Sequence, residues 1–186
     1  MSTYTSHLLR KPVMTKRTVF PADTRPVPAA PLPVHAILLR PGEGEVFNII
    51  GGHVRILTDG AATSGRLCVI EAVIPPGEGP PLHRHEREDE LFYIVDGKFK
   101  FAVNGREFTA GRGTFACAPR GSVHAFRNIG STPGRLHVTC TPAGIEKPFR
   151  AVRLPEPGSS IAPLTMEQIA AEFARHGITF HGPPLQ

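Results

Sequence analysis

Residues 77–97 read GEGPPLHRHEREDELFYIVDG, and the spacing of the polar residues in this stretch decides the fold. His83 and His85 are two positions apart, so on an extended strand both side chains project from the same face, with Cα atoms roughly 6.5 Å apart. That separation allows two imidazole nitrogens to converge on one ion held at about 2.0–2.1 Å. Glu90 begins the next apolar run and can bring a carboxylate from a neighbouring strand. The stretch therefore predicts a metal site built on β-strands.

A second stretch, GTFACAPRGSVHAFRN at residues 113–128, supplies one more imidazole. His124 lies in a strand-like run directly after the turn formed by Pro119 and Gly121. The acidic residues between His85 and Glu90 are predicted to be solvated loop charges, because strand alternation does not select them all. Among these residues, which are Glu86, Glu88 and Asp89, Glu88 is the main rival to Glu90 as a ligand.

Together the two stretches resemble the two sequence motifs of the cupin superfamily. The first motif is filled by Gly77, His83, His85, Glu90 and Gly97. The second is filled by Gly113, Pro119, Gly121, His124 and Asn128. The resemblance covers about residues 45–142, and it is to the single-domain, conserved-barrel cupins of the cupin 2 type.

This resemblance implies an all-β cupin jelly roll (a double-stranded β-helix) that binds a metal inside its barrel. The motif positions that bind the metal correspond here to His83, His85, Glu90 and His124. Three neutral nitrogens and one carboxylate suit one divalent transition metal, namely Fe, Mn, Ni, Co or Zn. Such a ligand set leaves a face of the ion open to water, substrate or oxygen.

The turn residues support the same fold class independently of the motifs. Asp96-Gly97 and Asn104-Gly105 separate alternating apolar runs, and such dipeptides form the two-residue turns of β-hairpins. Short strands every 8–12 residues without intervening helices predict an antiparallel sandwich or barrel. One helix is predicted late in the chain, where Thr165 and Gln168 have the spacing of a capping box and Gly177 ends the helix. Its apolar face is expected to pack on the outside of the barrel or against a second subunit.

The 186 residues predict three parts around one folded domain. Residues 1–33 form a flexible, basic, proline-rich arm, and residues 34–154 form the cupin barrel. Residues 155–186 form a C-terminal extension, with a helix at about 166–176. The resemblance implies a homodimer, and the apolar run at 34–40 could add a strand to the partner barrel.

The net charge of +5 at pH 7 comes entirely from the first 40 residues. No aromatic residues alternate with these cations, as they would in a nucleic-acid groove, so nucleic-acid binding is not expected. No apolar run approaches the ~20 residues needed to span a bilayer, so no membrane association is expected. Cys68, Cys117 and Cys140 are predicted to be buried, unpaired thiols in a reducing compartment, which indicates a cytoplasmic protein.

Strand alternation also predicts the residues that line the cavity. Phe92 and Ile94 are in register with Glu90, Phe126 is in register with His124, and Phe101 is a further aromatic candidate. These residues predict a pocket for a small aromatic or hydrophobic substrate, with the metal at its base. His53 and His137 also lie within strand-like runs, and either could face the cavity.

Within the superfamily, the sequence is most similar to quercetin-dioxygenase-like bacterial cupins. That similarity implies a metal-dependent dioxygenase that acts with O2 on a small aromatic or enol substrate of the quercetin or flavonol kind. Glu90 would be either a ligand or a catalytic base on a substrate hydroxyl. Two alternatives use the same ligands: a non-catalytic cupin that binds a metal or small molecule, and a non-redox metal-dependent lyase or isomerase.

Overall fold

A computed structural model describes residues 36–49, 51–155, 160 and 162–186. The predicted arm at residues 1–33 lies outside the described residues. In chain order the strands are β1 (Glu45–Ile49), β2 (Gly52–Thr58), β3 (Cys68–Ile74), β4 (Pro81–His85), β5 (Asp89–Asp96), β6 (Lys98–Val103), β7 (Arg106–Gly111), β8 (Phe115–Ala118), β9 (Val123–Asn128), β10 (Gly134–Thr141) and β11 (Ile178–Pro184). The helices are α1 (Gly60–Thr63), α2 (Glu146–Val152) and α3 (Met166–Arg175).

The strands form two antiparallel sheets whose apolar faces enclose the core. The six-stranded sheet has the order β1-β2-β3-β10-β5-β8, and the five-stranded sheet has the order β11-β4-β9-β6-β7. In β3 every second residue is buried, from Cys68 to Ile74, which is the alternation expected of a strand with one face on the core. The predicted all-β jelly roll is confirmed.

One of the two predicted hairpin turns is present: Asn104-Gly105 joins β6 to β7, which pair with each other. Asp96-Gly97 joins β5 to β6, but these strands lie in different sheets and do not pair, so the hairpin predicted there is wrong. Asn104 and Gly105 both have positive φ, at 48° and 75°, as the two-residue hairpin turn requires. Gly97 also has positive φ, at 95°, and a Cβ atom there would lie 2.7 Å from the Cα atom of Gly134. These positions therefore need the residues that the sequence places there.

One end of the barrel interior is closed by aromatic packing. The rings of Phe92, Phe99, Phe101 and Phe126 lie with centroids 5.3 to 6.3 Å apart. Edge-to-face and tilted contacts at these distances are the favourable arrangements for aromatic rings. This cluster, called here the phenylalanine core, leaves the opposite end of the barrel for the functional site.

The C-terminal extension contributes more structure than the sequence predicted. α3 begins with the predicted capping box between Thr165 and Gln168, and Gly177 follows it with φ of 81°. The strand β11 then pairs with β4, although the sequence predicted no strand there. Gly182 and two prolines weaken the strand signal of β11, and the pairing is interrupted by register shifts at the same place.

The two shorter helices were also not predicted. α1 is only four residues long, and α2 has no side-chain hydrogen bond at its N-cap and carries Pro148 in its first turn. A proline is tolerated in the first turn, where its missing N–H costs no helical hydrogen bond. Because proline usually indicates a turn or a helix end, no helix is evident from the sequence here.

Four further observations bear on the sequence predictions. Residues 36–40, the described part of the run at 34–40, form no strand within the chain and are exposed. The strand that this run is expected to add to a partner barrel stays a prediction. Cys117 is exposed, which corrects the prediction that it is buried, because it lies on the outward face of the edge strand β8. Cys68 and Cys140 are buried as predicted, and burial raises the pKa of both thiols.

None of the described helices is long and apolar enough to span a membrane.

Candidate metal centre

Three strands bring three imidazoles and one carboxylate to one point inside the barrel. β4 carries His83 and His85, β5 carries Glu90, and β9 carries His124. His83 and His124 are directly opposite each other in the β4–β9 register, which places both rings on the same inner face. One ligand atom from each of the four side chains lies within 4.8 Å of the others, and all four residues are buried.

The carboxylate of Glu90 lies at the centre of this group. Its Oε2 atom is 2.7 Å from Nε2 of His124, 3.4 Å from Nε2 of His85 and 3.7 Å from Nε2 of His83. The three nitrogens therefore surround one oxygen. Because every contact uses Nε2, all three rings present the same atom to the centre.

The other nitrogen of each ring is held by an acceptor. Nδ1 of His83 is 2.8 Å from the carbonyl oxygen of Pro81, and Nδ1 of His124 is 3.0 Å from that of Ser122. Nδ1 of His85 is 3.3 Å from Oε2 of Glu88. A carbonyl or carboxylate oxygen can only accept, so each Nδ1 donates its hydrogen. In a neutral ring this leaves the lone pair of Nε2 facing the centre, as metal-binding histidines require.

This donor set fits a metal ion. Three Nε2 lone pairs and a carboxylate that face one another need a cation or added protons between them, since all four groups are otherwise acceptors. Imidazole nitrogens with one carboxylate oxygen are donors shared by Fe, Mn, Ni, Co and Zn. The buried cluster thus fits the metal site of a cupin.

Electrostatics favour the metal-binding forms of Glu90 and His83, but they favour the charged form of His85. Burial alone would raise the pKa of Glu90, but the charge on His85 and hydrogen bonds from His124 and His83 hold that pKa well below its ordinary value. Burial lowers the pKa of His83, so its ring favours the neutral form. Burial alone would lower the pKa of His85, but the negative charges of Glu90 and Glu88 have the larger effect, so the pKa of His85 is raised. Glu90 is therefore ionised at neutral pH.

Glu88 corrects one prediction. Its side chain is 2% exposed and accepts the hydrogen bond from His85, so it is not a solvated loop charge. A Cβ atom at Gly144 would lie 2.6 Å from Oε1 of Glu88, which shows how closely the loop before α2 covers this carboxylate. Asp89 instead pairs with Arg120 at 2.7 Å, outside the centre. The structure brings Glu90, and not its rival Glu88, among the three Nε2 atoms.

A cavity of about 120 Å³ extends from the metal centre. His83, His85 and Glu90 line its inner end, and the other lining residues are apolar, or glycine and proline. Among the described residues that line it there is no lysine or arginine. The walls facing the centre are therefore suited to an uncharged molecule.

Of the four residues predicted to line a substrate pocket, the structure places one on this cavity. Phe126 lines the cavity, whereas Phe92, Ile94 and Phe101 lie in the closed core and do not reach it. Alternation correctly predicts that these side chains point inward, but it does not say at which end of the barrel they lie. Phe92 packs behind His124, with ring centroids 6.2 Å apart, and so belongs to the phenylalanine core.

The C-terminal extension supplies the residues that the sequence analysis missed. Phe149 and Val152 of α2, Ile169 and Phe173 of α3, and Phe180 of β11 all line the cavity. The apolar face of α3 therefore lines the cavity beside α2 and β11, which corrects the expectation that it packs on the outside of the barrel or against a second subunit. The spacing of Met166, Ile169 and Phe173 was the available signal, but it did not identify the surface they cover.

Neither of the two additional histidines lines this cavity. His53 is exposed and hydrogen-bonds to Asn48 on the neighbouring strand. His137 is on the outer face of β10, with Nε2 3.7 Å from Glu71. Both therefore belong to the outer surface of the six-stranded sheet.

Comparisons with known proteins agree with this geometry. Residues 70–140 match the family described as Cupin domain. TcmJ, a tetracenomycin polyketide synthase protein of Streptomyces glaucescens, is 34% identical over 95 residues, which are 50% of this chain and 62% of TcmJ. Quercetin 2,3-dioxygenase of Bacillus subtilis is 30% identical over 91 residues, which are 48% of this chain and 27% of that enzyme. The chain thus covers less than two thirds of either relative.

A solved structure shows the same fold. The crystal structure of a predicted oxalate decarboxylase from Thermotoga maritima superposes with a TM-score of 0.52 and 26% identity. The match covers 56% of this chain and 98% of that one. The region that matches the cupin domain family, residues 70–140, contains both motif stretches and all four residues of the candidate metal centre. Residues 70–140 of this chain therefore match the cupin domain in sequence, and the fold around them is that of a cupin barrel.

Proposed function

We propose that this protein is a metal-dependent dioxygenase that acts with O2 on a small, uncharged aromatic or enol substrate. The observation that carries the proposal is the position of the metal centre at the inner end of an apolar cavity. A substrate in that cavity has its reacting oxygen beside the centre, while the walls contact only its apolar part.

The chemistry of the lining supports an uncharged substrate over an acidic one. No described lining residue is a lysine or arginine, so a small dianion would find no cationic side chain there. Burying an unpaired carboxylate is strongly unfavourable. The similarity to quercetin 2,3-dioxygenase supports oxygenase chemistry of the same class.

In this proposal each polar residue has a defined task. His83, His85, Glu90 and His124 would hold the metal, which supplies a Lewis-acid and redox centre when bound. Glu90 is ionised, and its Oε2 atom is positioned either to bind the metal or to accept the proton of a substrate hydroxyl. The apolar walls exclude water, so that proton stays on a protein group instead of exchanging with solvent.

Oxygen consumption tests the proposal. Protein loaded separately with Fe, Mn, Co or Ni is mixed with a flavonol or with smaller enols in an oxygen-electrode cell. We expect substrate-dependent uptake with at least one of these metals and loss of uptake in the His124→Ala variant. The absence of uptake with all four metals would contradict a dioxygenase.

The same samples separate the two alternatives. A non-redox lyase or isomerase would form product under anaerobic conditions, without consuming oxygen. A non-catalytic binding protein would hold a metal tightly and convert none of the substrates. Product analysis by mass spectrometry, with and without oxygen, distinguishes these three outcomes.

A further inference from the structure

We propose that α2, α3 and β11, together called the C-terminal cap, limit the substrate to a molecule of about one aromatic ring, and that Phe173 sets this limit. The proposal concerns the same cavity as the proposed function and rests on it for the reaction, but not for the size limit. The C-terminal cap lies outside residues 70–140, which match the cupin domain. Its effect on the cavity is therefore a property of this chain's own sequence.

The C-terminal cap reaches the metal centre through β11. In the pairing of β11 with β4, Phe180 is directly opposite His83, and Ile178 is directly opposite His85. Directly opposed residues in an antiparallel pair project from the same face of the sheet, with Cβ atoms about 4.5–5.5 Å apart. Phe180 is thus a wall of the cavity immediately beside one of the metal-binding imidazoles.

From Phe180 a row of aromatic rings leads through the C-terminal cap. Phe173 is in contact with Phe180 at a ring-centroid distance of 5.5 Å and with Phe149 at 5.8 Å. All three rings line the cavity, and Phe173 is the middle one. Since Phe173 is only 8% exposed, its ring takes up space inside the protein. Removing the ring would therefore enlarge the cavity.

The volume of the cavity supports a one-ring limit. The cavity measures about 120 Å³. An apolar cavity of ~150 Å³ holds one benzene molecule, whereas pockets for drug-sized ligands have volumes of about 300–1,000 Å³. A three-ring flavonol belongs to the second class. The cavity thus fits a single ring and excludes a flavonol for as long as the C-terminal cap keeps its position.

α3 also borders the route by which a substrate enters. Met166, the first residue of α3, lines the cavity and is nevertheless 47% exposed. A residue with both properties lies where the cavity meets the solvent. The helix therefore forms part of the entrance through Met166 and part of the inner wall through Ile169 and Phe173.

Ligand binding to the zinc-loaded protein tests the size limit without turnover, because zinc has no redox chemistry. Phenol, 2-naphthol and 3-hydroxyflavone serve as probes of one, two and three rings in isothermal titration calorimetry. The wild-type protein is expected to bind phenol at least tenfold more tightly than 2-naphthol. Phe173→Ala should reduce this preference at least tenfold, and Ile169→Ala should reduce it about threefold.

A matched control removes a phenylalanine ring elsewhere. Phe108 is 40% exposed on β7 and does not line the cavity, so Phe108→Ala should keep the wild-type preference. Zinc content and thermal unfolding verify that each variant is folded. If Phe173→Ala does not fold, the smaller change Ile169→Ala decides the question.

Several results would overturn the size limit. They are equal binding of phenol and 3-hydroxyflavone by the wild-type protein, no binding of phenol, or an unchanged preference in both folded variants. These results differ from a failure of the proposed function. If the size preference is observed but no metal-loaded form consumes oxygen, the dioxygenase is wrong and the role of the C-terminal cap stands.

Discussion

At both ends of the barrel interior, successive side chains of a strand alternate between pointing inward and outward. The two ends differ in the size of the inward side chains. At one end, the phenylalanine core fills the space between the sheets with ring-to-ring contacts. At the other end, the six-stranded sheet contributes smaller aliphatic side chains, such as Ile70, Ala72 and Val138, and a cavity remains in front of the metal centre. In this fold, the size of the inward side chains decides which end is rigid core and which end is a site.

The largest expected effect comes from removing one ring of the phenylalanine core. Phe101 is fully buried and contacts several other rings, so Phe101→Ala should lower the free energy of unfolding by about 3–5 kcal/mol. Chemical denaturation of the zinc-loaded protein measures the change. The same variant should keep the wild-type preference for phenol, since Phe101 does not reach the cavity. A gain in 2-naphthol binding would show that the two ends are one space.

The next largest effect tests the metal centre at the other end of the barrel. A metal that binds only the folded protein stabilises it by about 2.7 kcal/mol when its free concentration is a hundred times its dissociation constant. Removing zinc from the wild-type protein with a chelator should therefore lower the midpoint of thermal unfolding. In His124→Ala this difference should largely disappear, because one of the four ligands is missing. An equal zinc-dependent shift in both proteins would contradict the assignment of His124.

A smaller effect is expected from the carboxylate behind the centre. Glu88→Gln weakens the acceptor that orients His85, and loss of such a contact typically costs about 10–100-fold in metal affinity. We expect a value near the lower bound, since glutamine keeps one oxygen acceptor. Competition for zinc with a fluorescent chelator measures it.

The neighbouring acid provides the control for that variant. Glu86→Gln, at an exposed residue that pairs with Arg84, should leave the zinc affinity unchanged. Equal zinc affinities in Glu88→Gln and in the wild-type protein would mean that Glu88 serves only the packing of the loop before α2.

The smallest effect concerns the attachment of the C-terminal cap. Asp59 caps α1 through the N–H of Ala62 and pairs with Arg150 of α2 at 2.7 Å. The hydrogen bond from Arg150 lowers the pKa of Asp59 in the folded protein. The ionised Asp59 carboxylate therefore stabilises the folded protein fully above the pKa that Asp59 has in the unfolded chain. This stabilisation is lost as the pH falls through the lower pKa that Asp59 has in the folded protein.

Asp59→Asn keeps the cap of α1 and removes only the ion pair with Arg150, so it should lower the free energy of unfolding by about 0.5 kcal/mol at pH 7. Denaturation curves at several pH values should show this difference shrinking below the ordinary pKa of 3.8. In an Arg150→Ala background the substitution should have a smaller effect, because the ion pair is already absent. A difference between wild type and variant that does not change with pH would exclude a contribution from the charge of Asp59.

The sequence predicted the site better than the space around it. The two-residue spacing of His83 and His85 and the second motif pointed to the four side chains that the structure brings together. Burial of Glu88 was not predictable, because it depends on the loop at Gly144, far away in the sequence. The cavity walls were mostly missed because alternation gives the face of a residue but not its depth in the barrel. Homodimer formation, a role for residues 1–33 and a cytoplasmic location stay predictions.

The pairing of β4 on both sides has a consequence for how this protein should be handled. β4 carries two of the four metal-centre residues and lies between β9 and β11. A chain shortened before Ile178 would leave the backbone N–H and C=O groups of β4 unpaired along one side. Bare strand edges of this kind recruit other chains and promote aggregation. Truncated versions that lack β11 but keep every motif residue are therefore expected to precipitate or self-associate.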